Sequence, residues 1–369
     1  MSSAGSETRA DLTACRLESL DSHSWDAFAA VNEHGAYAQT SFYGRFEEAV
    51  NEYAAAHFLS ARQDGQTTGQ LLAIEKFDYE LLFQRPGIIG RLGAWPAALF
   101  RSLSWNYGPL CSGPHPRTDT LASLLAGVDA LARERNAFMV RHALPPVHGW
   151  DSLAGDYRET FGRFGYRTRR KATVLLNVAG RSLDELWDGL DKDSRRVVRK
   201  ARKQGVEVVE AASGEHIEAF HRIRLETARR NNFRLPDKSH FEEIRRIFPP
   251  DVYRILLTRH EGNWVSGQGL GVSNGNLILG GVGYSDYARE NRIYGNDLMQ
   301  WHVIEWAHGQ GARVVDWVGY FLEPRNEGEK GVNHFKLKWG GEVVEYDEFY
   351  KVYGPLRHGA VQLARKLFG

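Results

Sequence analysis

The chain has 369 residues, of which 42% are hydrophobic and 25% are charged, the profile of a soluble globular protein long enough for two domains. Its formal net charge of +1 excludes a polycation, so any affinity for nucleic acid would have to come from a local basic patch. The two cysteines, Cys15 and Cys111, form no CxxC pair, which argues against a disulfide scaffold and against a cysteine zinc site.

The N-terminal residues Met1–Glu7 lack the basic stretch and the apolar stretch of a secretory signal peptide. No apolar run in the sequence approaches the roughly 18 residues that a membrane-spanning helix needs. We therefore expect a cytoplasmic protein without a membrane span.

The first half of the sequence alternates helix and strand signals. Asp64-Gly65 is a hairpin dipeptide and separates two predicted strands, at 57–62 and 68–74. An aromatic and glycine-rich stretch follows at 80–112. The patterns also predict helices at 24–31, 118–135 and 156–164, a further helical stretch after Gln39–Gly44, and a strand at 138–141.

The second half shows a similar order of elements. Its hairpin signals at Glu261-Gly262-Asn263 and 273–276 join three predicted strands into an antiparallel meander. Asn296 or Asp297 is placed to cap a helix through His308, which leads to a strand at 313–318. The remaining predicted elements are strands at 173–178 and 206–210 and helices at 184–190 and 215–230. A meander followed by a helix and a strand is the order of the acetyltransferase-like (GNAT) core, which predicts an α+β fold.

The segment 195–203 is strongly basic, with six cationic residues in nine: Arg195, Arg196, Arg199, Lys200, Arg202 and Lys203. On a helix, Arg195, Arg199 and Arg202 or Lys203 share one face, which could follow a phosphate backbone. The alternative is a solvated helix face. No carboxylate interrupts the segment, so we expect its charge repulsion to be unrelieved locally.

The C-terminal part combines a predicted buried strand with a glycine-rich loop. Val314–Gly319 reads as a strand ending in glycine, with Asp316 inside it, and a buried Asp should find hydrogen-bonding partners. A polar loop at 326–330 then leads to Phe335-Lys336 and to the turn Gly340-Gly341. Each piece alone is ordinary, but the arrangement is uncommon.

With five further segments, the arrangement resembles the Fem family, the aminoacyl-tRNA-dependent peptidyltransferases. The matching segments, in order, are Gln39–Gly44, Gly108-Pro109-Leu110, Ser194–Ala201 with Gly205-Val206, Glu226–Arg230 with Asn232-Phe233, Tyr284-Ser285-Asp286, and Phe335-Lys336. The resemblance implies two tandem GNAT-like domains, with mixed, mostly antiparallel sheets flanked by helices. We expect the first domain at 1–165 plus 345–369 and the second at 166–344.

The resemblance also implies a reaction, the transfer of an amino acid from aminoacyl-tRNA to an amine, forming an amide. We expect Lys336 to stabilise the oxyanion or the charge on the terminal tRNA phosphates, Phe335 to form the wall of the active site, and Tyr284 to lie beside them. Asp286, Asn296 and the basic segment are the expected substrate-binding residues. Aminoacyl-tRNA is then a co-substrate, and no cofactor and no metal are expected. The acceptor is either a peptidoglycan precursor or a small peptide or natural-product metabolite.

Two other classes of function stay open. An acyl-CoA-dependent N-acyltransferase binds pyrophosphate on backbone amides at a helix start, and the segment 292–297 lies at that place. Arg292 and Gly295 fit the acetyltransferase pattern, but Asp297 stands where Gly or Ala is needed and its carboxylate would repel pyrophosphate. The third class is a non-catalytic protein of the same fold, or a binding module in polysaccharide export. Loss of function on substitution of Lys336 would argue against it.

Overall fold

The structure is a computed structural model that describes residues 10–77, 99–113, 118–143, 147 and 150–368. Much of the aromatic, glycine-rich stretch at 80–112 lies outside this range. The helices within it are α1 Ser22–Val31, α2 Ser41–Val50, α3 Thr118–Glu134, α4 Trp150–Arg163, α5 Leu183–Asp188, α6 Lys192–Lys203, α7 Gly214–Asn231, α8 Lys238–Ile247, α9 Asp286–Glu290, α10 Gly295–Gly309, α11 Glu327–Leu337 and α12 Pro355–Phe368. Within these residues, none of the helices has the length and apolar character to span a bilayer.

The strands are β1 Asp11–Arg16, β2 Ala55–Gln63, β3 Gln66–Phe77, β4 Arg101–Asn106, β5 Leu110–Cys111, β6 Met139–Ala143, β7 Arg167–Asn177, β8 Glu207–Glu210, β9 Tyr253–His260, β10 Asn263–Ser273, β11 Asn276–Tyr284, β12 Val314–Asp316 and β13 Glu342–Val352. By its contacts the chain divides into two compact units. Unit 1 comprises 1–145, 149–170 and 347–369, and unit 2 comprises 146–148 and 171–346. That each unit folds as a domain, with bounds near 165 and 345, stays a prediction.

The sheet of unit 1 has the strand order β1-β2-β3-β4-β6-β13. The β4–β6 pair is parallel and the other neighbours are antiparallel. The β2–β3 hairpin turns at Asp64-Gly65, where both residues have positive φ, 51° and 77°, as the twist of a tight hairpin requires. The predicted hairpin is therefore confirmed.

Helices cover the two faces of this sheet differently. Helix α3 packs on β2 and β3 on one face, where Gly127 lets it approach Leu12 and Leu59 closely. On the other face α2 packs on β2, where Gly44 lies against Ala56 and Phe58. Because side chains alternate along each strand, one set of residues forms the core under α3 and the intervening set forms the opposite face.

The sheet of unit 2 has the strand order β7-β12-β11-β10-β9-β8. The predicted meander is present as β9, β10 and β11, which pair antiparallel, while β12 pairs parallel with β11 and antiparallel with β7. Helix α7 packs on β10 and β11, and α10 packs on β9 and β10. The core includes Trp301, Trp317 and Trp339, all nearly inaccessible to solvent.

Two sequence predictions in unit 2 are wrong. The cap of α10 is Tyr294, without a side-chain hydrogen bond, so neither Asn296 nor Asp297 caps that helix. The polar, glycine-rich stretch at 326–330 is the first part of helix α11 and not a loop. Asn326 caps α11 by accepting a hydrogen bond from the Glu329 N–H at 2.9 Å, which offsets the low helix propensity of the glycines.

Candidate active site

The candidate site is built on the turn that follows β12. Val318 and Gly319 both have positive φ, 39° and 66°. This conformation suits glycine but is strained for a β-branched residue such as Val318. On either side the turn is tied to β7, because the Trp317 N–H donates to the Val174 carbonyl at 2.9 Å and the Tyr320 N–H donates to Ala172 at 2.6 Å. The strain is thus held by its surroundings, as is common at functional sites.

Lys336 lies on α11 and points its ammonium group at this turn. Its Nζ donates hydrogen bonds to the carbonyl oxygens of Val318 and Gly319. Burial lowers the pKa of Lys336, while the nearby Asp316 acts in the opposite direction. An ammonium on two carbonyls, with a reduced pKa, is a group that can stabilise negative charge or exchange a proton.

Asp316 is the buried carboxylate of this cluster and is 1% exposed. Its Oδ1 accepts hydrogen bonds from the Thr173 hydroxyl and, at 2.8 Å, from the Val318 N–H. Its Oδ2 is buried and has no hydrogen-bond partner among the described residues. Burial raises the pKa of Asp316 to about 6. The predicted need of Asp316 for partners is therefore met on one oxygen.

Asn333 ties the rest of the loop to α11. Its carboxamide accepts a hydrogen bond from the Phe321 N–H at 3.0 Å and donates one to the Phe321 carbonyl at 2.8 Å. Asn333 and Lys336 are three residues apart and therefore share a face of the helix. That face holds four backbone groups of residues 318–321, so the helix and the turn form one rigid assembly.

A chain of buried amides connects the turn to the start of α10. The indole N–H of Trp317 donates to Gln300 Oε1 at 2.9 Å, and Gln300 Nε2 donates to Gln268 Oε1 at 2.9 Å. Gln300 Nε2 also lies 3.3 Å from Asn296 Oδ1, and Gln268 Nε2 donates to the Gly280 carbonyl at 2.7 Å. Asn296 is thus linked to the residue next to Asp316. Gln268, Gln300 and Thr173 were missed from the sequence, although a Gln between the apolar residues of α10 was a readable signal.

Phe335 and Lys338 lie beside Lys336 on α11. Phe335 packs edge-on against Trp339 with ring centroids 6.0 Å apart, and Lys338 Nζ is 4.9 Å from the centre of each ring. Lys338 also forms an ion pair of 2.5 Å with Asp297 at the start of α10. The carboxylate of Asp297 is therefore neutralised, and its expected repulsion of a phosphate is reduced.

Tyr284 and Asp286 belong to a second polar cluster at the end of β11. Asp286 forms an ion pair with Arg230, and its N–H donates to Glu226 at 2.6 Å. The Tyr284 hydroxyl donates to the Ile293 carbonyl at 3.3 Å, and burial raises its pKa. The described contacts of these two residues are thus with α7 and with the segment before α10. Their roles as catalytic and substrate-binding residues stay predictions.

The basic segment belongs to helix α6, and its charges are largely compensated. Arg202 forms an ion pair of 2.6 Å with Glu305, and carboxylates close in sequence pair with Arg195 and Arg196, at 3.1 Å and 3.2 Å. Two other cations lie over aromatic rings, at 5.2 Å for Arg199 on Trp187 and 4.8 Å for Lys200 on Tyr294. The expectation of unrelieved repulsion was wrong, because α5, α10 and the first turn of α6 supply the carboxylates. Lys203 makes no such contact within the described part of the chain.

In the residues that the structure describes, no three His, Cys, Asp or Glu side chains are grouped so that they could hold a metal ion.

The FemAB family model matches residues 160–260, a segment that contains the basic helix α6 and all of α7 and α8. The predicted resemblance to the Fem family is confirmed. The matched segment ends before Lys336. Comparison with curated protein sequences finds no match.

Solved structures show the same fold as this Fem-like chain. A crystal structure of FemX aligns with a TM-score of 0.74 at 16% identity, over 96% of this chain and 100% of that chain. L-PGS from Bacillus licheniformis aligns with a TM-score of 0.55 at 13% identity, covering 95% and 97%. A tandem GNAT protein from the clavulanic acid biosynthesis pathway aligns with a TM-score of 0.54 at 13% identity, over 94% of this chain and 99% of that chain. The predicted α+β fold with tandem GNAT-like units is confirmed.

Proposed function

We propose that this chain transfers an amino acid from aminoacyl-tRNA to an amine acceptor and forms an amide bond. The family resemblance supports this reaction. The single observation that carries the proposal is the position of Lys336, whose partly desolvated ammonium group is fixed on the strained turn after β12. The acceptor is either the peptide amine of a peptidoglycan precursor or the amine of a small metabolite.

The chemistry asks little of the protein because the ester of aminoacyl-tRNA is already activated. The amine nitrogen adds to the ester carbonyl, and its electron pair forms the new C–N bond while the carbonyl oxygen becomes an oxyanion. The intermediate then expels the ribose oxygen, and the proton lost by the attacking nitrogen ends on that oxygen. The Lys336 ammonium would stabilise the oxyanion, and its lowered pKa suits it to relay the proton.

The surrounding residues would fix Lys336 in place. Asp316, held by Thr173, sets the conformation of the turn whose carbonyls receive Lys336. Asn333 holds α11 against that turn, and the cap at Asn326 stabilises the start of the helix itself. Pre-organised groups of this kind need no reorganisation during the reaction, which is the main source of their catalytic effect. Phe335, packed on Trp339, would form an apolar wall beside the reacting ester.

The test measures transfer of a radiolabelled amino acid from charged tRNA to a panel of small amines and peptides. Lys336→Ala is expected to lower turnover about 100-fold, the usual loss for one oxyanion donor. Lys330→Ala is the matched control, because Lys330 is on the same helix and pairs only with Glu327 at 2.7 Å among the described residues. Turnover by Lys336→Ala equal to that of the control would refute the proposal.

One observation favours a second candidate function, an acyl-CoA-dependent N-acyltransferase. The ion pair between Asp297 and Lys338 removes much of the negative charge that argued against pyrophosphate binding at the start of α10. Acetyl-CoA should then raise the melting temperature of the protein. Salt-sensitive binding of charged tRNA without an acetyl-CoA effect would support the first function, and the reverse result would support the second.

A further inference from the structure

Unit 1 carries a polar groove on the face of its sheet opposite α3. The strand register places the side chains of Lys76, Ser104, Arg141 and Tyr350 on that face, together with Asn106 and Glu348. Helix α2 borders the groove through Tyr43 and Glu47, and α12 borders it through His358, Val361 and Gln362.

The groove consists of two cavities that share Arg141 and Glu348. The one toward α2 has a volume of about 290 Å³ and the one toward α12 about 200 Å³. Their combined size is that of a small-ligand site. The floor is rigid, because the opposite face of the same strands carries a packed ring stack in which His142 lies 4.7 Å from Trp105 and 5.9 Å from Phe349.

The charged side chains of the groove differ in how completely they are paired. Lys76 and Glu47 form an ion pair of 2.6 Å, so both are satisfied. The carboxylate of Glu348 forms one long ion pair, with the guanidinium of Arg169 at 3.6 Å. That guanidinium also lies over the ring of Tyr350. Arg141 is half-buried, and its guanidinium makes no hydrogen bond or ion pair with the described residues. Arg141 and Glu348, the cation and the carboxylate that line both cavities, are therefore charged groups whose side chains can still bind a ligand.

We propose that this groove binds a small amine that also carries a carboxylate, such as a short peptide or an amino-acid-like metabolite. The ligand carboxylate would lie on the guanidinium of Arg141, which can bind it through two parallel hydrogen bonds, and its ammonium or amide N–H would face Glu348. Ser104 and Asn106 offer further polar groups along the floor. Naming this ligand the amine acceptor rests on the proposed function, whereas its binding does not.

The experiment uses the full chain and achiral peptide probes, so that stereochemistry plays no part. Binding of triglycine, its C-terminal amide and its N-acetyl form is measured by titration calorimetry at millimolar concentrations. We expect triglycine to bind and the C-terminal amide to bind at least about tenfold more weakly, since a charge-assisted hydrogen-bond pair is lost. The N-acetyl form should also bind more weakly, through loss of its ammonium group facing Glu348.

Single substitutions test whether the probes bind through the side chains of this groove. Arg141→Gln should abolish the preference for the free carboxylate, and Glu348→Gln the preference for the free amine. Arg167→Gln is the matched control, an exposed arginine of the same unit without an ion pair in the described residues. Both groove side chains have weak or no partners, so we expect their variants to keep the wild-type melting temperature.

The binding test of the groove can fail or succeed independently of the transfer reaction. Lys336→Ala should bind triglycine as the wild type does, even where transfer is lost. Equal binding of the free acid and the amide, absence of binding by all three probes, or an unchanged preference in Arg141→Gln would each overturn the assignment of this groove.

Discussion

Asp316 and Lys336 form hydrogen bonds with the two backbone polar groups of one residue, Val318. The carboxylate of Asp316 accepts the Val318 N–H at 2.8 Å, and the ammonium of Lys336 donates to the Val318 carbonyl. The first residue ends β12 and the second lies on α11, so the strained peptide between them joins two elements. The conformation of the turn and the orientation of Lys336 therefore depend on each other, although their side chains make no ion pair within 4 Å in the described structure.

The raised pKa of Asp316 has a consequence for stability. Burial raises it to about 6, above the value of roughly 4 in an unfolded chain. A carboxyl group shifted upward stabilises the fold below its unfolded pKa and loses that contribution as the pH rises through 6. Asp316→Asn removes the titration. We expect the free energy of unfolding of the variant, relative to the wild type, to rise by about 2 kcal/mol between pH 4 and pH 8.

Urea unfolding of both proteins at the two pH values measures this difference. Thr173→Val serves as a companion variant, because it removes the hydroxyl that favours the ionised form and should enlarge the pH effect. If Asp316→Asn differs from the wild type by the same amount at pH 4 and pH 8, the carboxyl group does not titrate in this range.

Asn333 provides a test of the contact between α11 and the turn. Asn333→Ala removes two hydrogen bonds to the backbone of Phe321 and should lower the free energy of unfolding by about 1–3 kcal/mol. Asn333→Asp keeps the acceptor for the Phe321 N–H but replaces the donor by a buried carboxylate oxygen facing the Phe321 carbonyl, so its free energy of unfolding at neutral pH should fall at least as far. Hydrogen exchange of the Phe321 amide, measured by NMR, should quicken in both variants, and unchanged rates would contradict the clamp.

Local sequence patterns predicted features that depend on neighbours in sequence, including the hairpin at Asp64-Gly65 and the burial of Asp316. They did not reveal long-range partners, since Thr173 and Asp316 are 143 residues apart and Arg202 and Glu305 are 103 apart. Nor did they show that the cations of α6 are compensated. The helix α11 was missed because of its glycines, although the Asn326 and Glu329 spacing was a readable helix-start signal.

His142 makes unit 1 sensitive to acid. It lies fully buried in its ring stack, and burial lowers its pKa to about 3. Such a histidine stays neutral in the folded protein but is protonated in the unfolded chain. The free energy of unfolding therefore falls as the pH drops below about 6.5 toward 3. At pH 5 this amounts to about 2 kcal/mol. His142→Phe should keep the stack and flatten the decline in stability between pH 7 and pH 5, as measured by denaturant unfolding, and an unchanged decline would assign it to other groups.

The basic helix α6 offers a graded test of tRNA binding, because its cations differ in how far they are compensated. Lys203 has no ion pair within the described residues, whereas Arg202 is paired with Glu305 at 2.6 Å. If α6 lies along a phosphate backbone, Lys203→Ala should reduce the slope of log affinity against log salt by about one, the value for one phosphate contact. Arg202→Ala should change the slope less, since its charge is already neutralised. Fluorescence anisotropy with charged tRNA across a salt series measures both slopes. Equal slopes in the wild type and both variants would mean that α6 is a solvated helix face and that the tRNA contacts other residues.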